Sequence, residues 1–156
     1  MKRSLAFALA VAAVIIGLPG ARADLPGRIP VVMLDQPSVP VRLTEIQSVV
    51  SLLPADHTLA TVWFVRGVMT NVTRKRIVAT ETTWTLVNAD GEIVGAIRTL
   101  YENPIAPGER RQTVIGVLTD LLHKRGERVI GLVRRVRFED GSFWTAPPAE
   151  LAKVPR

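Results

Sequence analysis

Turn signals cut this chain into short pieces, and that rhythm constrains its fold more than any other feature. Asn88-Ala89-Asp90-Gly91 and Glu139-Asp140-Gly141-Ser142 combine residues whose side chains close their own turn with a glycine able to take positive φ. Asn103 to Gly108, with two prolines, is a third break. Between the breaks stand runs rich in Val, Ile, Thr, Trp and Phe, residues that suit a pleated, half-buried surface. The clearest pair is Ile77–Val87 and Glu92–Tyr101, a hairpin about the Asp90-Gly91 turn. Thr58–Val72 carries apolar residues on both parities, as a strand covered on both sides does. Gly67 within it marks a bulge or a close approach of another group. Arg111–Thr119 reads as a strand, and Asp120–Glu127 as a polar connection. Val129–Phe138 places Ile130, Leu132, Val136 and Phe138 on one parity; Arg134 falls on it too and points to a bulge or a sheet rim. Phe143-Trp144 begins the return strand.

Val41–Leu53 is two-faced. Leu43, Ile46, Val50 and Leu53 fit a helical stripe, with Thr44 or Ser48 as caps. Its β-branched content and the stop at Pro54 favour a strand. Before it, Pro26, Pro30, Pro37 and Pro40 forbid helix and central strand over residues 24–40, an extended lead-in of which Ile29 to Leu34 could lie along a sheet edge. Pro147 and Pro148 end regular structure and leave 147–156 as a flexible C-terminal tail. The expected architecture is all-β: a two-sheet sandwich of about seven antiparallel strands over residues 41–146.

The start of the chain is tripartite. Lys2 and Arg3 precede an apolar run from Leu5 to Leu18, and Ala21-Arg22-Ala23 offers small residues at the two positions a signal peptidase reads. The apolar run is shorter than the roughly 20 residues that span a bilayer. Residues 1–23 are thus expected to be a signal peptide cleaved after Ala23, giving a periplasmic or secreted product with no transmembrane segment. The remainder would carry 17 basic and 14 acidic residues, a net charge of +3, which with export argues against a nucleic-acid partner. There is no cysteine, so disulfides, thiolate metal sites and thiol nucleophiles are all excluded.

Phe64 to Ile77, with Gly67, Val68, Asn71, Thr73, Arg74-Lys75-Arg76 and a following hydrophobic strand, resembles the opening of bacterial extracytoplasmic immunoglobulin-like domains of the FxLYD type. Thr85-Leu86-Val87, Asp90-Gly91, Val94 and Pro107-Gly108-Glu109 extend the resemblance over about residues 58–118. Val136 to Trp144 departs from it and is similar to hairpins of other exported bacterial proteins. The resemblance implies an immunoglobulin-like sandwich serving as an accessory or binding module, and it carries no catalytic residue across. Asn71-Val72-Thr73 also matches a glycosylation acceptor. The favoured reading is structural, with Asn71 and Thr73 capping a turn.

Enzymatic sets are missing. Two histidines, His57 and His123, sit in polar connections and fall short of a zinc ligand set. Ser38, Ser48, Ser51 and Ser142 lack a nucleophile elbow. Glu81, Glu92, Glu102, Glu109, Glu139 and Asp140 are scattered, and no phosphate loop is present. The expectation is a non-enzymatic protein with no catalytic residues, metal or cofactor.

Two features point to binding. Residues 110–137 carry eight basic and two acidic residues, whereas 77–109 carry one basic and five acidic. Basic strands sharing an edge, with Arg66 and Arg74 to Arg76, would form a positive face for an envelope protein or an anionic envelope polymer. Such charges also serve to keep an edge strand from aggregating. Second, Phe143 and Trp144 neighbour Arg134, Arg135 and Arg137 in sequence, and exposed aromatics beside Arg make contact hot spots. Alternatively Trp144 closes the core, or serves as a stacking platform in a small-ligand or carbohydrate binder.

Overall fold

The computed structural model describes residues 29–55, 58–121, 124 and 126–153, so the expected signal peptide, His57 and His123 lie outside the described residues. Eight strands form two sheets. They are β1 Val31–Met33, β2 Val41–Ala55, β3 Thr58–Asn71, β4 Ile77–Val87, β5 Ile93–Tyr101, β6 Arg110–Val117, β7 Arg128–Phe138 and β8 Phe143–Thr145. Sheet A runs β1-β7-β4-β5, with β8 also on β7; sheet B runs β2-β3-β6. The all-β immunoglobulin-like sandwich is as expected, with one strand more and with β1 parallel to β7. β1 and β8 share the same edge of β7 end to end, β1 along Val129–Gly131 and β8 along Arg135–Arg137. The sandwich therefore begins inside the proline-rich lead-in, ahead of residue 41.

Val41–Leu53 resolves as strand. Pro54 does not stop it: β2 runs on to Ala55, with Pro54 opposite Leu59. A sheet edge tolerates a residue without an N–H, and β2 is an edge. Pro147 and Pro148 likewise do not end regular structure. Pro148 opens a helical turn, α1 Pro148–Leu151, where its fixed φ is preset for the first position. Glu150 in that turn is buried and accepts from the Gln36 side-chain amide at 2.9 Å. Gln36 also bonds both main-chain groups of Val133, each at 2.9 Å, as a continuing strand would.

The core lies between the sheets. Trp63, Val65 and Met69 of β3 face Trp84 and Leu86 of β4 and Val129, Val133 and Val136 of β7, all essentially inaccessible. Each such side chain contributes roughly 1.5–3 kcal/mol by burial. Gly67 is a close-approach glycine: a Cβ there would stand 2.5 Å from Ile46 Cδ1 and 2.9 Å from the Thr44 carbonyl. The pairing slips on both sides of it, between Thr44 and Gln47 on β2 and between Val65 and Arg66 on β3 against β6.

Asn71 organises the end of the sandwich that carries the β3–β4 turn. Fully buried, it donates to the carbonyls of Lys75 (2.8 Å) and Ile105 (3.0 Å) and accepts from Thr73 N and Oγ1. All of its amide's capacity is used inside the protein. The turn role expected of Asn71 and Thr73 is what the structure contains.

Candidate interaction surface

The geometry at β7 follows from one extra residue. Arg135 pairs with Glu81 and Val133 with the next residue, Thr82, so Arg134 is the bulge that the sequence foreshadows. The extra residue reverses parity. Val133 and Val136 point into the core, while Arg135 and Arg137 point out of sheet A. Arg134 itself is half-buried and uses its carbonyl to hold Ala146 N at 2.8 Å.

β8 inherits this arrangement through its register. Phe143 stands opposite Arg137, Trp144 opposite Val136 and Thr145 opposite Arg135. Trp144 is consequently turned inward and packs against the core, whereas Phe143 is 51% exposed on the outer face. The five sequence candidates thus divide. Arg135, Arg137 and Phe143 come together; Arg134 and Trp144 serve the strand edge and the core.

Arg135 lies over the Phe143 ring, its Cζ 3.8 Å from the ring centroid, a cation–π stack that fixes both side chains. Arg137 reaches Glu102, the residue after β5, at 4.0 Å. Glu81, the cross-strand partner of Arg135, completes the floor between them. With Ala79 and Leu100 these residues line a shallow depression of about 210 Å³. Leu100 is 60% exposed. Glu81, Leu100 and Glu102 were not singled out by the sequence, because only the pairing of β4 with both β5 and β7 brings them beside the arginines.

The rim is braced from β3–β4. Lys75 Nζ donates to Asp140 Oδ2 at 2.7 Å and to Ser142 Oγ at 3.1 Å, tying that turn to the β7–β8 turn. Ser142 bonds Asp140 through both N and Oγ. The Lys75 ammonium, then these Ser142 bonds, hold the Asp140 carboxyl well below the usual range. Lys75 also sits 5.5 Å from the Phe138 ring centroid.

The expected positive face is not formed by adjoining basic strands. β6 ends sheet B, and β7 lies inside sheet A between β4 and the β1/β8 edge. Acids also answer the bases: Arg110 pairs with Glu45, and Arg111 with Glu109. An Ala106 main-chain N–H, then Arg111, keeps the Glu109 carboxyl below its ordinary value. Stacking on Phe143 would compete with Arg135, and Trp144 is partly buried against the core, so neither aromatic stands as a bare platform for a sugar ring. Among the described residues no three His, Asp or Glu side chains gather as a metal set, and no helix is long and apolar enough to cross a membrane.

No family model matches the chain, and no curated protein matches it. In structure it is similar to a hypothetical protein from Peptoclostridium difficile 630. The two are 14% identical, the match covers 73% of this chain and 90% of that one, and the TM-score is 0.47. A likeness of that grade carries no argument about function.

Proposed function

We propose that the protein is an exported, non-enzymatic interaction module of the cell envelope that docks a partner protein through the Arg135–Phe143 face. The signal-peptide pattern and the FxLYD-type resemblance support the compartment and the class. One observation carries the choice of partner: Arg135 and Arg137 share their depression with Glu81 and Glu102 and are flanked by exposed Phe143 and Leu100. Two cations against two anions make a poor seat for a polyanion, which binds through unbalanced positive charge. A stacked Arg and aromatic, ringed by charges of both signs, suits a protein surface with complementary side chains.

The test is in-cell cross-linking of tagged full-length protein, followed by identification of what the mature chain captures. One reproducible envelope protein is expected, with capture reduced at least about tenfold by the double variant Arg135→Glu, Arg137→Glu, the scale of losing one hot-spot residue. The same partner recovered at equal yield by the double variant would sink the assignment of this face. Amino-terminal sequencing of the recovered protein should begin at Asp24; a start at Met1 would refute export by cleavage.

A further inference from the structure

Sheet A has four strand positions across its width, and sheet B has three. One flank of the three-stranded sheet lies beside β6. There the two terminal strands β5 and β6 bound a cleft of about 360 Å³, lined on one wall by Ile97, Thr99 and Tyr101 and on the other by Val114, Ile115 and Val117.

The other edges of the pair of sheets are blunted, that of β5 by the exposed charge of Arg98. β2 carries a pairing slip with Glu45 at positive φ, and Pro54 near its end. The β1/β8 edge is split into two strands of three residues, and the Gln36 side chain occupies the main-chain groups of Val133 between them. Such devices are how sheets avoid accepting foreign strands. β6 has a pairing slip of its own at Ile115, but from Gln112 to Val117 it carries no charge and no proline, and the Val117 side chain is 49% exposed. Across the sandwich, Thr99 Oγ1 engages one carbonyl of this stretch, Ile115 O, at 3.3 Å.

We propose that this cleft accepts an extended segment of a partner protein, which adds to β6 as a fourth strand of sheet B. The exposed edge itself specifies the occupant. N–H and C=O groups alternating along a strand are answered by another main chain in extended form, and not by a lipid or a sugar. Charge narrows the choice. The two charged residues lining the cleft, Arg98 and Asp120, have opposite signs, so the segment is near neutral. Its inward positions, at every second residue, meet Ile97, Thr99 and Tyr101 and take small apolar side chains. The cleft meets the Arg135–Phe143 face at Leu100, which lines both, but the inference stands on the β6 edge and does not need that face.

The probe is a synthetic Lys-flanked peptide of alternating Val and Thr, with a control in which every second Val is Pro. Each is added to the full chain, and amide hydrogen exchange is followed along it. The alternating peptide should slow exchange across Gln112–Val117 by roughly fivefold or more, and the proline peptide should not. Val117→Lys, at a half-exposed position that leaves the core untouched, should abolish the slowing, while Arg135→Glu with Arg137→Glu should leave it intact. Unchanged exchange in β6 at the peptide's solubility limit overturns the proposal. So does equal protection by the proline peptide, or protection confined to β2.

Discussion

Trp84 donates its indole N–H to Thr99 Oγ1 across 2.8 Å, a bond between neighbouring strands of sheet A beside the cleft to β6. Trp84 is fully buried on β4, and Thr99 passes the interaction on to the Ile115 carbonyl of β6. Thr99→Val keeps the shape and removes both the acceptor and the donor. The buried indole N–H is then unpaired, which costs about 1–3 kcal/mol. Chemical denaturation should show that loss with an unchanged m-value, and Thr99→Ser should recover most of it. A Val variant as stable as the parent would mean that water takes over the bond.

The same indole leaves no room on either side. A Cβ at Gly131 would stand 2.6 Å from Trp84 Cζ3 and would also strike Met33; one at Gly116 would meet the indole Nε1 and stand 2.8 Å from Cε2. Gly116→Ala and Gly131→Ala should each destabilise by about 1–3 kcal/mol through overpacking, despite the usual gain from replacing glycine in a strand. Thermal melts of the two variants check this, and a rise in Tm for either would contradict the packing described.

Asn71→Ala removes four side-chain hydrogen bonds at a fully buried position and leaves the Ile105 carbonyl with the Ile77 N–H as its partner. A loss of about 2–4 kcal/mol is expected, at the high end of point substitutions because several buried groups lose partners together. Asn71→Asp should restore only the acceptor half, toward Thr73, and remain well below the parent in a denaturant titration.

Asp140 and Glu109 contribute to the acid limb of the stability curve. Both carboxyls are held below their ordinary values in the folded chain. A depressed folded pKa contributes stability that is complete above the unfolded value, about 4, and is lost as pH falls from there through the folded value. Stability should therefore decline below about pH 4, and Asp140→Asn should lower stability somewhat near neutrality and make that decline shallower, the two proteins converging in acid. An identical acid limb in the variant would show that the Lys75–Asp140 bond has no linkage to folding.

Local chemistry was readable in the sequence; what depends on distant partners was not. The turns at Gly91 and Gly141, both at positive φ, are written in four-residue segments. Arg134 announces its bulge by breaking a parity within one strand. That β6 and β7 belong to different sheets is written in no segment, so adjacency in sequence suggested a shared basic edge that the topology divides. Phe143 and Trp144 look alike as neighbours. Their fates separate only through the register that sets one against Arg137 and the other against Val136. Nothing in Thr44-Glu45-Ile46 signals that Glu45 takes a φ of 54°, because the cause lies across the strand at Gly67.

β1, the first strand, is held by β7, the seventh of the eight described. Val31, Val32 and Met33 lie along Val129, Ile130 and Gly131, so β2 to β6 must all be synthesised before the first strand has anywhere to go. Pairings of such sequence separation are slow to form, because the loop entropy is lost before the contacts reward it. Until β7 arrives, β4 also lacks its inner neighbour. Sheet A thereby stays incomplete until β7 is available to seat both β1 and β4.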